Sequence, residues 1–137
     1  MRSFKKESSL VKPVRASLRR RGFRRVQQEV QFYEYSMDLY AYSKAQDTTT
    51  AIELKLTRWS RAFQQALIYQ LCADFVYVAL PMATVERVDK SLFECHGVGL
   101  IGVRPGPRCV TVIEPKRSNV LDAQYREFYV SLLQGEV

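Results

Sequence analysis

Apolar positions along the chain fall into blocks of contrasting period. Leu10, Val11, Val14 and Leu18 recur at helical spacing behind Ser8 or Ser9, either of which suits an N-cap, and Pro13 falls in the first turn, where its missing N–H is tolerated. Gly22 should end this helix. From Phe23 to Phe32 the residues turn β-rich. From Met37 to Tyr42 they alternate, with Met37, Leu39 and Ala41 expected on one side and Asp38, Tyr40 and Tyr42 on the other. These read as two strands joined by a tight turn near Glu34 to Ser36. The polar stretch SKAQDTTT over 43–50 reads as a turn leading into Ala51 to Leu56, where Ile52, Leu54 and Leu56 alternate with Glu53 and Lys55 in a third strand.

Between Arg58 and Cys72, the residues Trp59, Phe63, Ala66, Leu67 and Leu71 return to helical spacing, and after Asp74 the run FVYVAL ends at Pro81 like a buried parallel strand. Strand, helix, strand in that order implies a right-handed crossover. A helix over 84–94, a strand over 98–103, a Pro/Gly turn at 105–107, a strand over 110–113 and a helix over 122–133 complete the expectation. Tyr125, Phe128, Tyr129 and Leu132 on the last helix are read as covering the sheet, with a homodimer face as the alternative.

The chain has 137 residues, 47% of them apolar, enough for one domain with a sizeable core. No apolar run approaches the length of a bilayer span, so no membrane association is expected. Cys72, Cys95 and Cys109 are odd in number and widely spaced, and no apolar stretch near the N-terminus resembles a signal peptide; they read as reduced thiols of a cytoplasmic protein. His96 is the only histidine, which excludes the usual zinc spacings. The net charge of +7 is unevenly spread: residues 1–25 hold ten basic side chains (Arg2, Lys5, Lys6, Lys12, Arg15, Arg19, Arg20, Arg21, Arg24 and Arg25) against Glu7, while the rest of the chain is slightly acidic. Such a basic segment suits a polyanion, or equally a solvated helix face.

Gly97, Gly99 and Gly102 satisfy G-x-G-x-x-G, but they enter an apolar strand run instead of opening a helix, so no nucleotide cofactor is expected and the glycines read as sites of close packing or a bulge. A different group carries the candidate chemistry. Glu53 and Lys55, two apart on a strand, leave the same face while Leu54 points into the core, and pairing with the preceding strand would bring Asp38 beside Glu53. Two carboxylates so placed suit Mg2+ (or Mn2+), with room for water and a substrate phosphate. Arg58 and Arg61 follow closely, at a helix start where they oppose the dipole unless an anion binds there. An E-x-K triplet is also what an ordinary surface ion pair would look like.

The order of basic helix, hairpin with Asp38, strand with Glu53 and Lys55, and helix with Gln65 and Tyr69 in QALIY resembles the PD-(D/E)xK superfamily: restriction-endonuclease-like nucleases, Holliday-junction resolvases and RecB-like members. The resemblance covers about residues 9–80. It implies an α/β fold with the restriction-endonuclease-like αβββαβ core, a mixed central sheet flanked by helices. It also implies that Asp38 and Glu53 bind the metal with the Leu54 carbonyl, that Lys55 serves the attacking water, and that Gln65 and Tyr69 line the site as in the Q-x-x-x-Y of RecB-like members. Met37 stands where the family has proline. The first-helix carboxylate of several members is missing near Ser9; Glu7 and Glu29 are the candidates to replace it.

The expected function is therefore metal-dependent hydrolysis of DNA phosphodiesters, with Lys12, Arg15, Arg19, Arg20, Arg58 and Arg61 contacting the nucleic acid. A noncatalytic nucleic-acid-binding or protein-interaction module on the same fold is the alternative. A nucleotide hydrolase is disfavoured by the lack of a G-x-x-x-x-G-K-[ST] loop.

Overall fold

The computed structural model describes residues 4–106 and 108–135, so Arg2 of the basic segment and Pro107 of the expected turn lie outside the described residues. A 3-10 turn, Glu7–Leu10, runs directly into α1 (Val11–Arg20). Ser8 and Ser9 lie inside that turn and neither side chain caps the helix, which differs from the expected N-cap. Gly22, at φ +97°, turns the chain into the hairpin of β1 (Arg25–Phe32) and β2 (Tyr35–Ser43). Its two-residue turn is Tyr33–Glu34, slightly earlier than expected, because Phe32 already pairs with Tyr35. β3 (Thr48–Leu54), α2 (Trp59–Tyr69) and β4 (Phe75–Pro81) follow; Thr48, Thr49 and Thr50 belong to the strand and are buried.

The helix expected over 84–94 is two short ones, α3 (Met82–Val85) and α4 (Lys90–His96). They are separated because Asp89 takes extended backbone and its carboxylate accepts from the Ser91 hydroxyl at 2.7 Å. β5 (Gly99–Arg104), β6 (Arg108–Ile113) and α5 (Ala123–Gln134) complete the chain, with the Asp122 carboxylate capping α5 through the Gln124 and Tyr125 N–H groups.

The six strands form one mixed sheet in sequence order: β3, β4 and β5 are parallel, and the β1–β2, β2–β3 and β5–β6 pairs are antiparallel. Helices cover both faces. On one, Leu10, Val14 and Leu18 of the N-terminal helical segment pack on Leu39, Ala41, Ile52, Leu54, Tyr77 and Ala79. On the other, α2, α4 and α5 pack on Tyr40, Tyr42, Ala51, Val76, Val78 and Leu80. β4 is apolar throughout because it is buried from both sides, as its unbroken run predicted. Gly99 and Gly102 lie within β5, where a Cβ would meet the Tyr77 ring at 2.6 Å and Met82 Cε at 2.5 Å, so these glycines allow close packing.

The alternation expected along β2 holds for Leu39 and Ala41 against Tyr40 and Tyr42, but Met37 lies on the Tyr40 face. Its partner Val30 is on that face too, while Gln28 pairs with Leu39 and Val26 packs on the opposite core. The hairpin therefore turns over at Glu29 and Asp38 without losing register. Glu29 stands there at φ +54°, a backbone conformation that non-glycine residues adopt only at a cost. α5 also differs from expectation: Tyr129 and Leu133 are buried, whereas Phe128 and Leu132 remain exposed.

Away from this twist, Asp74 ties the layers together. Its buried carboxylate accepts from the Thr49 N–H (2.8 Å) and hydroxyl (2.9 Å), from Arg117 (2.9 Å) and from Arg126 Nε (3.0 Å). Removing that carboxylate leaves the buried Thr49 donors unpaired, while Arg126 keeps Asp47 and the exposed Arg117 turns to water. Asp74→Ala should lower the unfolding free energy by about 1–3 kcal/mol, the cost of leaving buried donors without an acceptor. Urea denaturation of parent and variant checks this; a loss under about 1 kcal/mol would mean the network contributes no more than a surface pair.

Candidate functional site

The β2–β3 ladder runs from Ser43↔Thr48 to Leu39↔Ile52 and stops one step short of Asp38 and Glu53. β3 continues against β4 through Leu54↔Ala79. At the fork the Leu54 N–H, with no β2 carbonyl to meet, donates to Asp38 Oδ2 at 2.7 Å. The carboxylate thus takes the place of a ladder acceptor and is held at the mouth of the opening. Glu53 is only 3% exposed. Its Oε1 accepts from the Tyr69 hydroxyl at 3.1 Å, and its Oε2 lies 3.8 Å from Lys55 Nζ. Tyr69 OH also lies 3.1 Å from the Ser36 carbonyl, so α2 is fastened to the hairpin at the same point. Leu54 packs into the core, as alternation required.

The electrostatics follow from burial. Desolvation first, then the charge of Asp38, push Glu53 up to about 8, only partly offset by Lys55 and by the Tyr69 hydrogen bond. Asp38 is also raised by burial, against the Leu54 N–H and Lys55, which favour its charged form. Each carboxyl group thus acts on the other, and Glu53 is the one pushed far up. Desolvation and the adjacent carboxylates raise Tyr69, so it stays a neutral donor. Near neutral pH Glu53 therefore keeps its proton.

Glu7, Ser8, Val11, Gln28, Glu29, Asp38 and Leu54 line a pocket of about 220 Å3. Both candidates for the missing first-helix carboxylate thus face the space that Asp38 faces, and the charge of Glu7 contributes to raising Asp38. Among the described residues, no three His, Cys, Asp or Glu side chains gather closely enough to hold a metal by themselves. Gln65 lies one turn before Tyr69 on α2, and its Oε1 is buried with no hydrogen-bond partner.

The expected cationic residues are not one surface. Lys12, Arg19, Arg20, Arg58 and Arg61 are exposed, whereas Arg15 is drawn inward: its NH2 group donates to the Val26 carbonyl at 3.4 Å and its Nε is buried without a partner. Arg20 is close enough to β6 for Cys109 to feel its charge, and Arg21 pairs with Glu114 at 3.6 Å. Arg58 precedes α2 and Arg61 lies in its first turn, with no acidic side chain there and no side-chain cap. Trp59 packs against Phe93, ring centres 6.2 Å apart, and so anchors the helix. His96 ends α4, its Nδ1 3.1 Å from the Leu92 carbonyl and its ring edge-on to Phe63, away from the carboxylates. Burial pushes the Cys72 thiol up to about 12, which leaves it inert.

No family model matches the chain, and no curated protein does. Among solved structures, the SPO1766 protein of unknown function from Silicibacter pomeroyi is similar, with a TM-score of 0.73 at 17% identity over 98% of this chain and 87% of that one. The likeness shows that this α/β arrangement, a six-stranded mixed sheet flanked by helices, exists in an experimentally solved protein. Among the described residues, no helix is long and apolar enough to cross a membrane.

A buried carboxyl that keeps its proton makes stability depend on pH. Unfolded, Glu53 ionises near 4.5; folded, it holds the proton to about 8. Over that interval the folded state binds more protons, so stability falls as pH rises and levels off above about 8. Glu53→Gln, which keeps an acceptor for the Tyr69 hydroxyl and cannot ionise, should flatten this slope. It should also stabilise the protein by a few kcal/mol above pH 8, since each tenfold difference in proton affinity between the folded and unfolded chain is worth about 1.4 kcal/mol. Thermal unfolding of both proteins from pH 5 to 9 tests it, and equal slopes would contradict the assignment.

Proposed function

We propose that the chain is a metal-dependent nuclease of the PD-(D/E)xK type, acting on DNA phosphodiesters. The observation that carries the reading is the buried carboxyl of Glu53 beside the half-buried carboxylate of Asp38 where β2 and β3 part, with Lys55 and Tyr69 on Glu53. Such an arrangement costs stability, and perturbed acid pairs of this kind gather at functional sites. The element order α1, β1, β2, β3, α2, β4 supports the restriction-endonuclease-like core as the finer description of the fold.

The donor set fits a hard divalent cation. Mg2+ asks for one or two carboxylates and fills its remaining positions with water and substrate phosphate, and Asp38 and Glu53 would hold it together with the Leu54 carbonyl. When bound, the ion supplies Lewis-acid polarisation of the phosphoryl oxygen and a more acidic water. The chain's own residues do the rest. Lys55, beside Glu53, would hold the attacking water or a phosphoryl oxygen by its N–H donors. Water adds to phosphorus, the opposite P–O bond breaks, and the leaving oxygen takes up a proton. Gln65 Oε1 would accept from a group bound in the site, and Tyr69 keeps Glu53 in place. Arg58 and Arg61 would meet the phosphates next to the scissile one.

Cleavage of labelled single-stranded, duplex and branched DNA with Mg2+, with Mn2+ and with chelator tests the proposal. The parent should cut only with metal. Asp38→Asn and Lys55→Ala should each lower the rate at least about a hundredfold, the scale for loss of one electrostatic or proton-handling group. Salt-sensitive binding with no cleavage in either metal would favour a noncatalytic nucleic-acid-binding module on the same fold.

A further inference from the structure

Tyr33 occupies the first central position of the two-residue turn that joins β1 to β2, at φ +54°. Turns of this kind favour glycine at that place, and a tyrosine adopts the conformation only at a cost. The side chain is 70% exposed, and its hydroxyl makes a 2.7 Å hydrogen bond to the Tyr125 hydroxyl in a solvent-exposed position. The neighbouring rings of Phe32 and Tyr125 stand at 76° and 89° to it, with centres 4.8 and 6.2 Å away, so neither lies flat against it. The ring is fixed in direction but not covered.

The place of this turn gives the strain a use. The last two rungs of the hairpin are Gln31↔Ser36 and Phe32↔Tyr35, and the Ser36 carbonyl lies 3.1 Å from the Tyr69 hydroxyl that also bonds Glu53. The turn therefore stands about two residues of strand, roughly 7 Å, beyond the point where Tyr69 joins the hairpin to Glu53. Glu34, the other turn residue, is exposed and would repel a phosphate, so a strand crossing the tip meets Tyr33 with its base.

We infer that Tyr33 is a base-stacking platform, and that the substrate carries unpaired nucleotides beside the position of cleavage. This rests on the nuclease reading and narrows its substrate class: a base in an intact duplex has both faces covered by its neighbours, whereas single strands, flaps and branches offer an open one. The edges of the Phe32 and Tyr125 rings hold the platform in position.

Fluorescence anisotropy of a labelled single-stranded oligonucleotide and of a blunt duplex, measured in chelator so that nothing is cut, tests the inference. Tyr33→Ala should weaken single-strand binding about five- to hundredfold and leave duplex binding unchanged. Tyr33→Phe should bind as the parent does. Tyr33→Gly should bind as weakly as the alanine variant while melting higher than the parent, because glycine suits the turn; a purely structural tyrosine would not separate affinity from stability in this way. Unchanged single-strand affinity in Tyr33→Ala, equal losses on both DNAs, or a change of sedimenting mass that marks the ring as a contact to a second copy would each overturn the platform. A parent that cuts DNA while Tyr33→Ala binds normally sinks the platform alone; a parent that binds no DNA overturns it together with the nuclease reading.

Discussion

The N–H of Leu54 is the point on which the site depends. A buried backbone donor must find an acceptor, and at the end of β3 the neighbouring strand has already turned away. Asp38 supplies a carboxylate oxygen at 2.7 Å in place of the missing carbonyl. That single substitution of side chain for main chain keeps the strands apart and holds Asp38 against Glu53. The turnover of the hairpin at Glu29 lets β2 bring Met37 to one core and Leu39 to the other on either side of that carboxylate. Without the left-handed residue, simple alternation would keep Met37 and Leu39 on one face.

Three buried or half-buried acids show how differently the same chemistry can be used. Asp74 has two guanidinium groups and two Thr49 donors, so its charge is fully compensated and its role is to join β3, β4 and α5. Asp38 and Glu53 share one backbone N–H, one tyrosine hydroxyl and one ammonium 3.8 Å away. This is too little for two charges in a poorly solvated place, so one stays protonated. The shortfall is what a divalent cation would make good, since it would replace the proton on Glu53 and allow both groups to ionise.

Much of this was legible in the primary structure, for physical reasons. Period-two alternation around Glu53 located β3 and oriented Glu53 and Leu54, because a strand buried on both faces leaves little freedom of register. The strand nonetheless runs Thr48–Leu54 instead of Ala51 to Leu56, so Lys55 lies just past its end. The FVYVAL run and the 59–69 helix were readable because both are long and strongly patterned. The features that were not readable are local exceptions. Nothing in the residue type announces that Glu29 or Tyr33 adopts positive φ, since both identities are ordinary in strands and turns. The hub at Asp74 joins residues far apart in the chain, and no spacing rule anticipates such a meeting. Arg15 looked like a solvent-facing cation, yet the carbonyl of Val26, on a strand eleven residues further along, draws it inward.

The most direct test of the central claim is calorimetric titration of Mn2+ into the protein at pH 7, in two buffers of different ionisation enthalpy, so that protons released on binding can be counted. One site that releases about one proton per ion bound is expected, because the cation would displace the proton that Glu53 keeps at that pH. Binding without proton release, or no binding at all, would contradict it.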